Sequence, residues 1–87
     1  MNPHEPELHL LMLKSNSGDE AAYRTLLQKL SGLFRRFFRQ KLYGRDDAAA
    51  EDLVQETLLA IHLNRQRYDP GRPFTAWVYA IARYKLM

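Results

Sequence analysis

The sequence predicts an all-helical fold: a compact bundle of three long helices plus a short N-terminal helix. In four segments, apolar residues cluster or recur three and four positions apart, the spacing of one face of an α-helix. No segment shows the alternation of apolar and polar residues that marks a half-buried strand. Proline and glycine gather between these segments, and 87 residues suffice for one small domain.

The N-terminal part is predicted to contain a flexible lead-in over residues 1–7, followed by the helical domain over residues 8–87. The lead-in carries two prolines and little pattern, although Pro6 is suited to the first position of a helix. A short apolar helix from Leu8 is expected to end near Ser15–Gly18.

The second helix is predicted from about Asp19 to Tyr43, capped by Asp19 or Ser17 and ended by Gly44. Its apolar face comprises Tyr23, Leu26, Leu27, Leu30, Leu33, Phe34, Phe37, Phe38 and Leu42. Gly32 interrupts this helix at a cost of about 1 kcal/mol against alanine. A close crossing with another helix would explain it.

The third helix is predicted to begin after Asp46 or Asp47, to run to about Arg67 and to carry two faces. Its core stripe comprises Leu53, Val54, Thr57, Leu58 and Ile61. A second face comprises Asp52, Gln55, Glu56, Leu59 and Leu63. Leucines there must be covered either by the first helix or by a partner protein. In the second case the leucines supply apolar contact, and the polar side chains pair with basic residues and fix the register.

Residues 68–73 form a predicted loop, since two prolines and a glycine in six residues cannot continue a helix. Pro73 opens the fourth helix, whose expected core residues are Phe74, Trp77, Val78, Ile81 and Tyr84. Its other face is expected to hold Thr75, Tyr79, Ala82, Arg83 and Leu86. This helix is still periodic at Leu86–Met87, so we expect the chain to be part of a longer protein.

Basic and aromatic residues in this last part of the chain suit nucleic acid. Tyr79 and Arg83 lie one helical turn apart, and the preceding segment adds Arg65, Arg67, Tyr68 and Arg72. Arginine pairs with phosphates or base edges, and tyrosine stacks on unpaired bases. The alternative is that the tyrosines are half-buried and the arginines merely solvated.

The net charge of +3 conceals three blocks. Residues 24–45 contain seven bases and no acid, and residues 46–56 contain five acids and no base. From Arg65 onward the sequence contains five bases and a single acid, Asp69. Such blocks indicate surfaces with different partners, or three ordinary solvated helix faces. The role of the first basic block is not specified by the pattern.

Several classes of function lack support in this sequence. There is no cysteine, and the three histidines are too scattered for a metal cage, so no metal site and no cofactor is predicted. Asp52 and Glu56 have no accompanying nucleophile or metal-ligand set, so the protein is not expected to be an enzyme. No apolar run approaches the ~18 residues of a membrane span, and no signal peptide is recognisable.

Three stretches resemble the extracytoplasmic-function (ECF) group of bacterial sigma factors. Residues 52–58, DLVQETL, resemble region 2.2, and residues 67–83, RYDPGRPFTAWVYAIAR, resemble regions 2.3 and 2.4. Residues 18–23, GDEAAY, resemble the start of region 2.1. The resemblance covers about Leu8 to Met87 in unbroken order. Ala80 and Tyr84 depart from it, since the family often has a basic residue and an asparagine there.

The resemblance implies a cytoplasmic, non-enzymatic transcription initiation factor domain of the region 2 type. Such a domain binds the β′ clamp helices of core RNA polymerase and recognises and helps to melt the promoter −10 element. It also implies an anti-sigma factor as a partner. The region 4 domain of these factors is absent from this chain. The promoter sequence, the inducing signal and the oligomeric state are not specified.

Two groups of residues match these roles. The polymerase-binding positions are Asp52, Gln55 and Glu56, and Leu59 and Leu63 share their face. The positions matched to the non-template strand of DNA are Arg67, Tyr68, Arg72, Thr75, Tyr79 and Arg83. The alternative is a helical protein–protein interaction module without DNA binding, which would use the leucine face alone.

Overall fold

A computed structural model describes residues 2–87, and within them the chain is helical, without a strand. The elements are α1 (Glu5–Asn16), α2 (Glu20–Lys41), α3 (Asp47–Leu63), a 3₁₀ turn (Arg65–Arg67) and α4 (Phe74–Lys85). The predicted all-helical bundle is confirmed. α2 and α3 are the longest helices with 22 and 17 residues, whereas α4 has 12, the same length as α1.

Two aspartates cap the long helices as predicted. The Asp19 carboxylate accepts a hydrogen bond from the Ala22 amide at 3.0 Å, and the Asp46 carboxylate accepts one from the Ala49 amide at 2.8 Å. Each bond satisfies an amide that has no partner within its own helix.

The end of α2 lies earlier than predicted, at Lys41. Tyr43 and Gly44 both adopt positive φ, at 56° and 67°, and the Gly44 amide donates to the Arg39 carbonyl at 2.9 Å. This is the pattern of a Schellman cap, with tyrosine at the left-handed position where glycine is usual.

Two other predicted boundaries are wrong. α1 begins at Glu5 rather than Leu8, so residues 5–7 belong to the helix and not to a lead-in. α3 ends at Leu63 instead of continuing to Arg67, because the Asn64 side chain donates to the Ala60 carbonyl at 2.8 Å and a 3₁₀ turn follows.

The hydrophobic core lies where α2 packs against α1 and α3, and where α4 packs against α3 and α1. The predicted stripes of α2 and α3 are confirmed. Their fully buried members include Leu26, Leu30, Phe34 and Phe38 from α2, and Val54, Thr57 and Ile61 from α3. α1 contributes Leu8 and Met12.

The predicted core face of α4 is wrong in part. Phe74 and Val78 are buried as expected, but Thr75 and Ala82 are buried as well, and Tyr84 is 69% exposed. The helix is therefore rotated about its axis, which brings the predicted outer positions Thr75 and Ala82 into the core.

A close helix crossing does not explain Gly32 in the described residues. A Cβ atom placed on Gly32 would meet no atom within 4 Å, so the glycine makes no room for a neighbouring helix. In the same part of the chain, no helix is long and apolar enough to cross a membrane.

Candidate functional site

The second face of α3, hereafter the α3 face, consists of Asp52, Gln55, Glu56, Leu59 and Leu63, and all five are exposed. Leu59 and Leu63 are 58% and 70% exposed. α1 packs against α2 and α4, so the alternative that it covers these leucines is wrong. The α3 face is thus open to a partner.

A neighbouring ion pair holds α3 against α2 without using the acids of the α3 face. Arg35 donates to both carboxylate oxygens of Glu51, from Nε at 2.7 Å and from Nη2 at 2.8 Å. These hydrogen bonds outweigh the opposing effect of desolvation and lower the pKa of Glu51 to about 2. Within residues 2–87, Asp52 and Glu56 form no ion pair, so their charges are available to a basic partner.

Tyr68 lies inside the loop between α3 and α4 rather than on its surface. Its ring is 5% exposed and packs against Phe74 and Trp77 with centroids 5.2 and 5.3 Å away. Its hydroxyl donates to the Arg72 carbonyl. Burial raises the pKa of Tyr68, which keeps the hydroxyl protonated as this donation requires. Tyr68 therefore fixes the two ends of the loop to each other.

Asp69 orders the tip of the same loop. Its carboxylate accepts a hydrogen bond from the Gly71 amide at 2.9 Å, and its carbonyl accepts one from the Arg72 amide at 3.0 Å. The Arg72 guanidinium extends outward, 3.6 Å from the Asp69 carboxylate, with a side chain that is 81% exposed. The loop thus presents Arg72 from a fixed backbone.

The N-terminus of α4 is capped by a residue from the far end of the chain. Pro73 occupies the N-cap position and has no side-chain acceptor, and the Glu5 carboxylate takes that role. Glu5 accepts hydrogen bonds from the Phe74 amide at 2.8 Å, the Thr75 amide at 2.7 Å and the Thr75 hydroxyl at 2.8 Å. Burial alone would raise the pKa of Glu5, but these bonds together lower it.

His9 adds a second link from α1 to the loop. Its Nε2 donates to the Pro70 carbonyl at 3.0 Å, and its Nδ1 lies 3.4 Å from the Glu5 carboxylate. Sequence reasoning missed both Glu5 and His9. The available signal was the proline at the start of α4, because a helix that begins without its own cap needs an acceptor from elsewhere.

The remaining predicted DNA-contacting residues have different environments. Thr75 is buried and donates to Glu5. Tyr79 is half-buried, with Phe34 and Phe37 of α2 edge-on to its ring at centroid distances of 5.4 Å. Arg67 and Arg83 are exposed.

Two adjoining hollows bring the six predicted DNA-contacting side chains together. The larger, of ≈ 420 Å³, is bordered by Arg67, Tyr68, Asp69, Arg72 and Trp77. The other is bordered by Asn2, Thr75, Tyr79 and Arg83, and Ala76 belongs to both. Arg67, Tyr68, Arg72, Thr75, Tyr79 and Arg83 thus border one continuous area, hereafter the loop–α4 surface.

Comparison with known proteins defines the class. The sequence model described as Sigma-70 region 2 matches residues 22–87. The chain is 47% identical over its whole length to the ECF RNA polymerase sigma factor SigF of Caulobacter vibrioides, of which it covers 48%. Over 91% of its length it is 33% identical to the ECF RNA polymerase sigma factor SigD of Mycobacterium tuberculosis, of which it covers 39%. No solved structure matches the chain.

These matches, with the helical bundle described above, define the class as that of a sigma factor region 2 domain. The chain belongs to the Sigma-70 region 2 family, in its ECF group. It spans about half or less of the length of the curated relatives it matches.

Proposed function

We propose that this domain docks on the β′ clamp helices of core RNA polymerase through the α3 face. We also propose that it captures unpaired non-template bases of the promoter −10 element through the loop–α4 surface. The observation that carries the proposal is the exposure of Leu59 and Leu63 beside the unpaired carboxylates Asp52 and Glu56. The similarity to ECF RNA polymerase sigma factors supports the same partner.

The α3 face has the composition of a protein-docking surface. Its two leucines offer apolar area that stays in water in the free domain, and covering them is favourable. Its carboxylates and Gln55 lie on the same side of α3 and suit a basic partner helix, whose position they would fix through charge complementarity. Glu51 supports this surface indirectly, because its pair with Arg35 holds α3 in place.

Binding of the chain to a β′ clamp-helix fragment tests the docking proposal. Glu56→Lys is expected to weaken binding at least tenfold, about 1.4 kcal/mol, because the charge that meets the basic partner is reversed. Glu20→Lys is the matched control, since Glu20 is also an exposed helical acid but lies outside the α3 face. Equal affinities for the two variants would contradict the assignment of this face.

The loop–α4 surface has the composition of a site for unpaired bases. Trp77 supplies aromatic area in the larger hollow, and the exposed Arg67 and Arg72 lie around it, where they suit phosphates or base edges. Tyr68 and Thr75 are buried, and we propose that they shape this surface from within. The residues that we propose to contact DNA are therefore Arg67, Arg72, Tyr79 and Arg83.

A fluorescence titration of the chain with single-stranded −10 oligonucleotides tests the second part. Arg72→Ala combined with Tyr79→Ala is expected to weaken binding at least tenfold. Arg24→Ala is the control: Arg24 lies in the N-terminal part of α2, outside the loop–α4 surface, and its loss is expected to leave binding unchanged. The affinity should fall steeply with salt, as phosphate contacts require. Polymerase binding without salt-dependent DNA binding would favour the protein–protein interaction module instead.

A further inference from the structure

The structure explains part of the first basic block, residues 24–45. Lys29, Arg35 and Arg39 form ion pairs with Glu7, Glu51 and Asp47 at 2.8, 2.7 and 3.4 Å. Lys41 and Arg45 lie over the rings of Phe37 and Tyr43. Within the described part of the chain, Arg24 and Arg36 have neither kind of partner.

Arg36 of α2 is adjacent in sequence to a residue that contacts the loop–α4 surface. Its sequence neighbour Phe37 packs edge-on against Tyr79, with centroids 5.4 Å apart. Burial raises the pKa of Tyr79, and the nearby Arg36 charge opposes this rise. Arg36 on α2 and Arg83 on α4 are both exposed.

A shallow groove continues from Arg36 between α1 and α2. Its polar lining consists of Arg36, Lys29, Gln28, His4 and Glu7, and Gly32, Leu8 and Leu33 complete it. Gly32 leaves its floor without a side chain, and no protein atom occupies the space where a Cβ would stand. A glycine inside a helix costs about 1 kcal/mol against alanine, and here no helix crossing explains it. Glycine also permits a ligand to approach the backbone closely.

We propose that Arg36 and this groove bind the phosphate backbone of single-stranded DNA that continues from the loop–α4 surface. The proposal rests on the proposed DNA binding and extends it to α2. Charge favours a polyanion over a protein segment, because Arg36 is unpaired and the acid in the groove, Glu7, is neutralised by Lys29 at 2.8 Å.

Two single-stranded oligonucleotides test the assignment, one of about four nucleotides and one of about twelve, within the range of single-strand binding sites. Arg36→Gln is expected to weaken binding of the longer strand three- to tenfold and to reduce the salt dependence by about one phosphate contact. It should leave the shorter strand unaffected, and Arg36→Lys should retain most of the affinity. Arg24→Gln is the matched control, an exposed and unpaired arginine twelve residues away on α2, about 18 Å along the axis.

The outcomes separate this inference from the proposed function. If the wild-type chain binds the longer strand and Arg83→Gln weakens it, but Arg36→Gln behaves as Arg24→Gln does, the DNA proposal stands and the groove is excluded. If Arg36→Gln instead weakens binding of an acidic peptide and not of DNA, the groove is a protein site and the inference is overturned. Absence of any wild-type binding to DNA overturns both.

Discussion

The α3 face and the loop–α4 surface are built in different ways. Every residue of the α3 face lies on one helix, between Asp52 and Leu63. The loop–α4 surface depends on hydrogen bonds to α1 from residues that are distant in sequence. Glu5 bonds to residues 69 and 70 positions away, and His9 bonds to one 61 positions away. The first surface should therefore tolerate substitution without loss of stability, whereas the second should not.

Among the residues of the two surfaces, the largest effect on stability is expected at Tyr68, in the centre of the loop. Tyr68→Ala should lower the free energy of unfolding by about 3–4 kcal/mol, because a buried aromatic ring is removed from between Phe74 and Trp77. Denaturant unfolding measures the change. Tyr68→Phe is the control, and it should cost about 1 kcal/mol for the lost bond to the Arg72 carbonyl. A loss below 1 kcal/mol for the alanine variant would show that this ring is not part of the core.

A smaller loss is expected at Glu5, which connects α1 to α4. Glu5→Gln should cost about 2 kcal/mol, since a charged acceptor of three hydrogen bonds becomes a neutral one. Glu7→Gln, on the same helix, removes only an exposed ion pair and should cost less than about 1 kcal/mol.

The pH dependence provides an independent test of the Glu5 cap. The folded state lowers the pKa of Glu5, so the stabilisation is complete above the unfolded-state pKa and is lost as the pH falls through the folded-state pKa. Thermal unfolding between pH 6 and the acid range should therefore show a smaller acid-induced loss in Glu5→Gln than in the wild type. Identical acid profiles would contradict the cap.

The faces of α3 and α4 show how far the sequence determines the structure. Helical periodicity alone places Leu59 and Leu63 on a side of α3 apart from its core stripe, but the exposure of that side had to come from the structure. The buried face of α4 was assigned wrongly at Thr75 and Tyr84. Periodicity does not determine how a helix is rotated against its neighbours, and that rotation is consistent with the cap from Glu5, which no local pattern connects to residue 75.

An increase in stability is expected at Gly32, on the groove between α1 and α2. Gly32→Ala should raise the free energy of unfolding by about 1 kcal/mol, because alanine has the higher helix propensity and its Cβ meets no atom within 4 Å. Gly44→Ala serves as the control and should be destabilising, since Gly44 has a φ of 67°. A destabilised Gly32→Ala variant would indicate a close contact at that position.

The smallest effect on stability is expected on the α3 face itself. Leu59→Gln and Leu63→Gln should each change the free energy of unfolding by no more than about 0.5 kcal/mol, because these side chains are 58% and 70% exposed in the free domain. Ile61→Ala, between them on the buried side of the same helix, should cost about 2–5 kcal/mol. If the glutamine variants keep their stability but lose binding to the β′ clamp-helix fragment, the leucines serve association rather than folding. If they unfold as Ile61→Ala does, the leucines are covered within the domain and the distinction between the two surfaces is lost.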